Sequence, residues 1–282
     1  MKKILFYLTL MTNTFVFSQS CCQLNFASSD GNMAVFTNDQ NFIASHLSPL
    51  TYNHSSEVGG KMITFPTNDG KNANAYAVMA KKKTNNWLFV YQEWWGLNDH
   101  IKKQSDIFYN ELKGDVNVLA IDMYDGKIAT KPEEAAKYMQ SADEKRLETI
   151  VLGALSFAGK KAKIASTGWC FGGGWSLKSA ILIKKQAIGA VMYYGMPVKD
   201  IEKLKTLNCD VLGLFATEQW ISKEIIEEFA ENMKKANEIL NYKIFESEHA
   251  FANPSNPKYN EKDATEANKM AIDYLKNKFQ VR

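Results

Sequence analysis

Short runs rich in apolar and β-branched residues alternate along the chain with longer segments in which apolar residues recur at helical spacing. The short runs predict strands over residues 61–65, 73–80, 87–92, 116–122, 162–167, 187–194, 211–216 and 242–245. The longer segments predict helices over residues 97–113, 132–159 (one or two helices), 171–184, 223–240 and 261–279. This alternation favours an α/β fold with a mostly parallel central sheet covered by helices on both faces.

The first 20 residues have the three parts of a secretory signal peptide. Lys2 and Lys3 give a basic start, a short apolar stretch follows, and small polar residues precede Cys21. We therefore expect cleavage near Ser20 or Cys21 and a periplasmic or secreted protein without a membrane span. A lipid anchor on Cys21 is the alternative, although Ser18 stands where a lipoprotein signal normally has a branched apolar residue.

Residues 21–60 are polar and show little periodicity. They predict an irregular N-terminal extension that lies over the domain and is not a domain itself. Residues 61–282 then form one α/β domain, which is long enough to bury a substantial core because 45% of the chain is hydrophobic.

The charge pattern excludes one class of partner. The 34 basic and 31 acidic residues are scattered and leave a net charge of only +3, so we expect no binding to nucleic acid. Arg146 and Arg282 are the only arginines.

We expect a monomer that needs no metal or organic cofactor.

The clearest candidate for chemistry is Cys170, within Gly-x-Cys-x-Gly between a predicted strand and a predicted helix. That context is the one a nucleophile elbow requires, and a helix N-terminus beside the sulfur favours thiolate over thiol. The alternative is a buried structural cysteine on a glycine-rich bend. We predict that Cys170 is free and leave the pairing of Cys21, Cys22 and Cys209 open.

A thiolate nucleophile needs a base, and the base needs an orienting acid. Among the four histidines, His249 follows the last predicted strand, at the edge of the sheet where active-site loops emerge. Glu218 is the only carboxylate in the loop after the strand at residues 211–216. Glu218 is the favoured acid, and the neighbouring amide of Gln219 is the alternative. A surface histidine is the alternative interpretation of His249.

A second carboxylate, Glu93, follows the strand at residues 87–92. We interpret it either as a partner of the nucleophile or as one half of a salt bridge with a lysine. The backbone N–H groups of Trp94 and Phe171 are candidates for the oxyanion hole. The candidate substrate pocket consists of Trp95, Tyr124, Lys127, Trp220 and Phe251.

Together these motifs resemble the dienelactone hydrolase family, which has the α/β-hydrolase fold, from Lys61 to Phe279. The resemblance rests on four motifs in order: Gln92–Asn98 (QEWWGLN), Asp122–Tyr124 (DMY), Gly168–Gly173 (GWCFGG) and His249–Phe251 (HAF). It implies a Cys–His–Asp triad, with Cys170 as nucleophile, His249 as base and Glu93 as a carboxylate that helps to activate the thiol.

The chain departs from that family at two places. The family's Asp corresponds to Glu218 or to Gln219, depending on the register chosen. Family members that act on the anionic lactone clamp its carboxylate with arginines, whereas this chain has Asn253 after His249–Ala252 and Arg146 in a predicted helix. Lys127 would supply a positive charge in place of an arginine, but its ammonium group is a point charge without the bidentate fork of a guanidinium.

The favoured hypothesis is an exported cysteine hydrolase of small esters or lactones that forms an acyl-enzyme. A non-catalytic binding protein on the same fold, with a weakened triad, is the alternative from another class. A thioesterase or peptidase would differ only in the acyl group accepted, which the sequence does not specify.

Overall fold

The computed structural model describes residues 30–281. The predicted signal peptide and the predictions for Cys21 and Cys22 lie outside the described residues. Within them, no helix is both long and apolar enough to cross a bilayer. Cys170 and Cys209 are free thiols.

The strands of the described residues form one eight-stranded sheet in the order β1-β2-β4-β3-β5-β6-β7-β8. The strands are β1 (Lys61–Pro66), β2 (Asn72–Val78), β3 (Asn86–Tyr91), β4 (Asn117–Ile121), β5 (Lys163–Trp169), β6 (Ala187–Tyr193), β7 (Val211–Ala216) and β8 (Leu240–Phe245). The pairs β1–β2 and β2–β4 are antiparallel, and all other pairs are parallel.

Helices connect most of the parallel strands. They are α1 (Gln40–Ser45), α2 (Asp99–Glu111), α3 (Pro132–Ser141), α4 (Glu144–Ala158), α5 (Phe171–Ile183), α6 (Ile201–Leu204), α7 (Lys223–Lys235) and α8 (Glu261–Phe279). Every residue of β4 and of β7 is buried. Because successive side chains of a strand point to opposite faces, the sheet is covered on both sides. The predicted mostly parallel α/β fold is confirmed.

One predicted helix ends too late. The sequence predicts a helix over residues 223–240, but α7 stops at Lys235 and β8 begins at Leu240. Asn237 adopts a left-handed conformation with φ of 61°, and the N–H of Glu238 bonds the carbonyl of Met233. This left-handed cap ends the helix, and the apolar positions beyond it belong to the edge strand.

The N-terminal extension contains more regular structure than the sequence predicts. A 3₁₀ turn at Met33–Phe36 is capped by Asn32, and Asp39 caps α1 by accepting hydrogen bonds from the N–H groups of Asn41 and Phe42. In the part of the extension that the structure describes, residues 30–60, apolar side chains at only three positions, Met33, Phe36 and Phe42, are fully buried, which is too few to produce a helical period in the sequence. The rest of the extension, from His46 to Gly60, is irregular.

Glycine at position 172 allows α5 to lie against the end of β3. A Cβ atom there would stand 2.3 Å from the carbonyl oxygen of Gln92 and 2.4 Å from that of Tyr91. Backbone atoms in a sheet do not move aside as the end of a side chain does, so only glycine permits this approach.

We therefore expect Gly172→Ala to lower the free energy of unfolding by about 3 kcal/mol or more, at the upper end of overpacking costs. Gly174→Ala in the same helix is the matched control, because its nearest contacts are at 3.0 and 3.1 Å and alanine favours the helix. Urea denaturation measures both variants. Equal losses for the two would contradict the close packing at Gly172.

Candidate active site

Cys170 occupies a sharp turn between β5 and α5. Its φ of 55° and ψ of −120° are unusual for a residue with a side chain. The turn is held from both directions: the N–H of Cys170 donates to the carbonyl of Tyr193 at 3.0 Å, and the Cys170 carbonyl accepts from Gly173 at 2.9 Å. Strain of this kind, fixed by its surroundings, commonly marks a functional residue.

The two N–H groups predicted to form the oxyanion hole belong to segments that pack against each other. Phe171 is the first residue of α5, so its N–H is one of those without an intrahelical acceptor. Trp94 lies two residues after Gln92, whose carbonyl lies against Gly172. The close approach of α5 to β3 therefore brings the segment after β3 next to the first turn of α5.

His249 and Glu218 come from loops that follow the neighbouring strands β8 and β7. The N–H of Thr217 donates to the carbonyls of Phe245 and Ser247 at 3.0 and 2.9 Å, which ties the two loops together. The Nδ1 atom of His249 then lies 2.7 Å from Oε1 of Glu218, with 6% and 3% of the two side chains exposed. The structure thus places Glu218, rather than the exposed Gln219, against the imidazole.

The imidazole also lies close to the sulfur. One ring nitrogen of His249, one of His46 and the Sγ of Cys170 all lie within 4.8 Å of one another. Since Nδ1 of His249 is bonded to Glu218, its buried Nε2 is the atom left for the thiol. Burial lowers the pKa of His249, but Glu218 and Cys170 outweigh it and raise that pKa well above its usual value.

Glu93 is buried beyond the end of β3 and has no lysine partner among the described residues. Its Oε2 accepts from Asn253 Nδ2 at 2.5 Å, and its Oε1 accepts from the hydroxyl of Tyr194 at 3.5 Å. Burial raises the pKa of Glu93 to about 7, although His249 and these two hydrogen bonds act in the opposite direction. Glu93 therefore exchanges a proton near neutral pH.

Tyr194 and Asn253 were not singled out as functional residues by the sequence. Tyr194 has a φ of 35° just beyond β6, and its ring centroid lies 4.9 Å from that of His249. Its hydroxyl reaches Glu93, so it bridges the two ionisable groups. The sequence predicts Tyr194 as the last residue of the strand at residues 187–194, and that place at a strand end is the one signal that could have found it.

The sulfur does not stand open to solvent. Only 1% of Cys170 is exposed, because residues 30–46, here called the covering segment, lie over the turn. The thiol of Cys170 points to Sδ of Met33 at 3.8 Å. His46 packs between Phe42 and Trp94, with ring centroids 4.3 Å from each. His46 lies in the stretch that the sequence predicts to be an irregular extension, and its position depends on packing that no local pattern reveals.

The remaining predicted pocket residues are spread over several places. Tyr124 and Lys127 line a cleft of about 480 Å³ that also contains Arg146. Trp95 and Phe251 are buried, and Trp220 packs on Phe42 of the covering segment at 5.2 Å.

A second cleft, of about 140 Å³, reaches Glu93. It is lined by Glu93, Trp169, Asn253, Ile107 and Lys103 among others. Arg146 lies away from this cleft and is bonded to Asp69 and Asp125, at 3.1 and 2.6 Å.

The raised pKa of Glu93 makes stability depend on pH in a defined window. Between pH 4.5 and about 7 the folded protein keeps a proton that the unfolded chain has released, so stability falls as pH rises through this window. We expect Glu93→Gln to remove this decrease. The free energy of unfolding of the variant, relative to the wild type, should therefore be higher at about pH 8 than at about pH 5.

Glu248→Gln is the matched control, because Glu248 is two-thirds exposed in its ion pair with Lys258 and should show a much smaller change between the two pH values. Urea denaturation at each pH measures the difference. A pH-independent difference for Glu93→Gln would show that Glu93 is charged throughout.

The chain is similar to known proteins in sequence and in fold. The profile of the Dienelactone hydrolase family matches residues 73–279. A putative carboxymethylenebutenolidase of Aquifex aeolicus is 24% identical over 228 residues, which cover 77% of this chain and 98% of that protein. Protein usf of Aquifex pyrophilus is 25% identical over 207 residues, covering 69% of this chain and 87% of the relative.

Solved structures show the same fold. The crystal structure of a putative dienelactone hydrolase from Klebsiella pneumoniae superposes with a TM-score of 0.65 at 20% identity, over 77% of this chain and 97% of that one. A dienelactone hydrolase-like promiscuous phosphotriesterase from metagenomic libraries gives 0.66 at 16% identity, over 77% and 98%. The resemblance drawn from the four sequence motifs is confirmed, and the chain belongs to the dienelactone hydrolase family of α/β-hydrolases.

Proposed function

We propose that the chain is an exported hydrolase of small carboxylic esters or lactones that works through an acyl-enzyme on Cys170. The observation that carries this proposal is the buried contact of His249 with Glu218 at 2.7 Å, within 4.8 Å of the Cys170 sulfur. Nucleophile, base and acid are thus assembled from three separate loops. Export is supported by the composition of the first 20 residues.

The nucleophile forms by a short proton transfer. The thiol proton moves to Nε2 of His249, and the carboxylate of Glu218 stabilises the resulting imidazolium through Nδ1. The N-terminus of α5 stabilises the thiolate. Glu93 is a second proton acceptor with a pKa of about 7, linked to the site through Tyr194 and Asn253.

In acylation, the thiolate attacks the carbonyl carbon and the negative charge moves onto the carbonyl oxygen. The N–H groups of Phe171 and Trp94 are the proposed donors to this oxyanion. Collapse of the intermediate breaks the ester C–O bond, and the departing alkoxide takes the proton from His249. In deacylation, His249 removes a proton from water, the hydroxide breaks the thioester, and the proton returns to the sulfur. A lactone gives one ring-opened product in place of an acid and an alcohol.

The site favours small substrates without a strong negative charge. The cleft beside Glu93 has a volume of about 140 Å³, which accommodates a short acyl chain. Asn253 binds Glu93 and provides no cation, and Arg146 is bonded to two aspartates elsewhere. A carboxylate on the substrate would find no arginine fork in this cleft, where Lys103 offers only a point charge, so uncharged esters are better candidates than an anionic lactone.

The two alternatives make different demands on this site. A thioesterase or peptidase would use the same triad with another leaving group. A non-catalytic binding protein would bind ligand in the cleft without turnover, and the burial of Cys170 beneath the covering segment is the observation that favours it.

Cys170→Ala should abolish hydrolysis of p-nitrophenyl acetate, lowering kcat/KM by at least about 10³-fold, because no other group replaces the sulfur. Cys209→Ala is the matched control: that buried thiol lies just before β7, and the variant should retain activity. Initial rates of p-nitrophenol release measure both. Residual activity of the Cys170 variant close to that of the wild type would show that the hydrolysis occurs elsewhere.

Glu218→Gln should lower kcat by about 10²–10⁴-fold, because an amide no longer stabilises the imidazolium. Its effect on KM should be small, since Glu218 contacts His249 and not the substrate. Gln219→Ala, which changes the exposed neighbour, should stay within about threefold of the wild type. The reverse pattern would assign the acid position to residue 219.

A further inference from the structure

Four soft donor atoms meet beneath the covering segment. Sγ of Cys170 and one ring nitrogen each of His46 and His249 lie within 4.8 Å of one another, and Sδ of Met33 is 3.8 Å from that sulfur. We call these four residues the soft-donor cluster. Two of them come from the catalytic loops and two from the covering segment. All four are at least nine-tenths buried.

The hydrogen bonds of His46 determine which of its nitrogens has a free lone pair. Nδ1 lies 2.7 Å from the carbonyl oxygen of Phe42, which only accepts, so Nδ1 carries the proton. Nε2 therefore has a lone pair, and it is buried without a hydrogen-bond partner in the described residues. An orphaned buried acceptor is destabilising unless a ligand satisfies it.

Both histidines have the surroundings typical of metal ligands. A ligating imidazole usually donates its other N–H to a carbonyl or a carboxylate. His46 does so to Phe42, and His249 does so to Glu218. Hydrolysis accounts for His249 and Glu218, but it gives His46 no role.

We propose that the soft-donor cluster binds one Cu(I) ion. Two imidazoles, a thiolate and a weaker thioether form a donor set that copper prefers, and thiolate and thioether together select its monovalent form. No carboxylate belongs to the cluster, which disfavours harder cations such as Mg²⁺ and Ca²⁺. Metal–donor bonds of about 2.0–2.3 Å place the donor atoms of a trigonal site about 3.5–4 Å apart. Because the three donor atoms already lie within 4.8 Å of one another, movements of about 1 Å are enough to form the site.

Binding involves no electron transfer. Cu⁺ enters, the one proton that Cys170 and His249 share leaves to solvent, and the charge of the site is unchanged. If the proposed function holds, the ion inhibits it, because the metal occupies both the nucleophilic sulfur and the nitrogen that serves as base. The same ion links the covering segment to the catalytic loops through His46 and Met33.

The test uses the chain with Cys21, Cys22 and Cys209 replaced by Ser, because other thiols also bind copper. Under anaerobic, reducing conditions, this parent protein is titrated against the Cu(I)–bicinchoninate complex. We expect one Cu(I) per chain and an X-ray absorption spectrum with one short sulfur and two nitrogen ligands. His46→Ala should weaken binding by at least about 100-fold, and Met33→Leu by a smaller factor.

His100→Ala is the matched control, because this histidine is outside the cluster and hydrogen-bonds the carbonyl of Leu50 at 2.7 Å. It should leave copper affinity unchanged. Thermal unfolding verifies that each variant folds. If His46→Ala does not fold, the X-ray absorption spectrum of the parent protein tests whether nitrogen ligands bind the copper ion.

Unchanged copper affinity in His46→Ala, a spectrum without nitrogen ligands, or preferential binding of Zn²⁺ over Cu(I) would overturn the proposal. So would copper binding only in chains that retain Cys21 and Cys22. Assays of p-nitrophenyl acetate hydrolysis with copper and with a chelator separate the two proposals. Cys170-dependent hydrolysis without copper binding would contradict only the proposed metal site. Copper binding without hydrolysis would contradict only the proposed hydrolase function.

Discussion

The strained positive-φ conformation of Cys170 is the constraint on which the rest of the site depends. The turn is stable only because α5 lies so close to β3 that position 172 must be glycine, and because the carbonyl of Tyr193 binds the Cys170 N–H. That packing places the sulfur above the carboxyl ends of the strands. The loops after β3, β7 and β8 then converge on it, since parallel neighbours end at the same edge of the sheet.

The electrostatics of the site follow from burial. Glu93, Glu218 and His249 are all withdrawn from water, where an isolated charge is costly. Glu218 and Cys170 favour a positive imidazole, whereas Glu93 has only uncharged hydrogen-bond donors and so holds its proton to neutral pH.

Much of this arrangement could be predicted from the sequence. The strand and helix order, the elbow at Cys170, and the loops that carry His249 and Glu93 follow from periodicity and from motifs that are local in the chain. The choice between Glu218 and Gln219 needed coordinates, because a one-residue shift changes which side chain faces the imidazole. The end of α7 was missed because a left-handed Asn237 leaves no mark in the hydrophobic pattern. His46, Met33 and Tyr194 reach the site through contacts distant in sequence.

Hydrogen bonds hold the chain in place at the start of the covering segment and beyond its end. Asp30 accepts hydrogen bonds from the N–H groups of Lys199 and Asp200, and beyond the segment His54 bonds Asp106, which also accepts from Ser56 and Tyr76. Because the covering segment buries the Cys170 sulfur, a small reagent reaches this atom only when the segment opens. If the covering segment closes faster than the reagent alkylates the sulfur, the alkylation rate depends on two quantities. These are the equilibrium population of the open segment and the nucleophilicity of the sulfur.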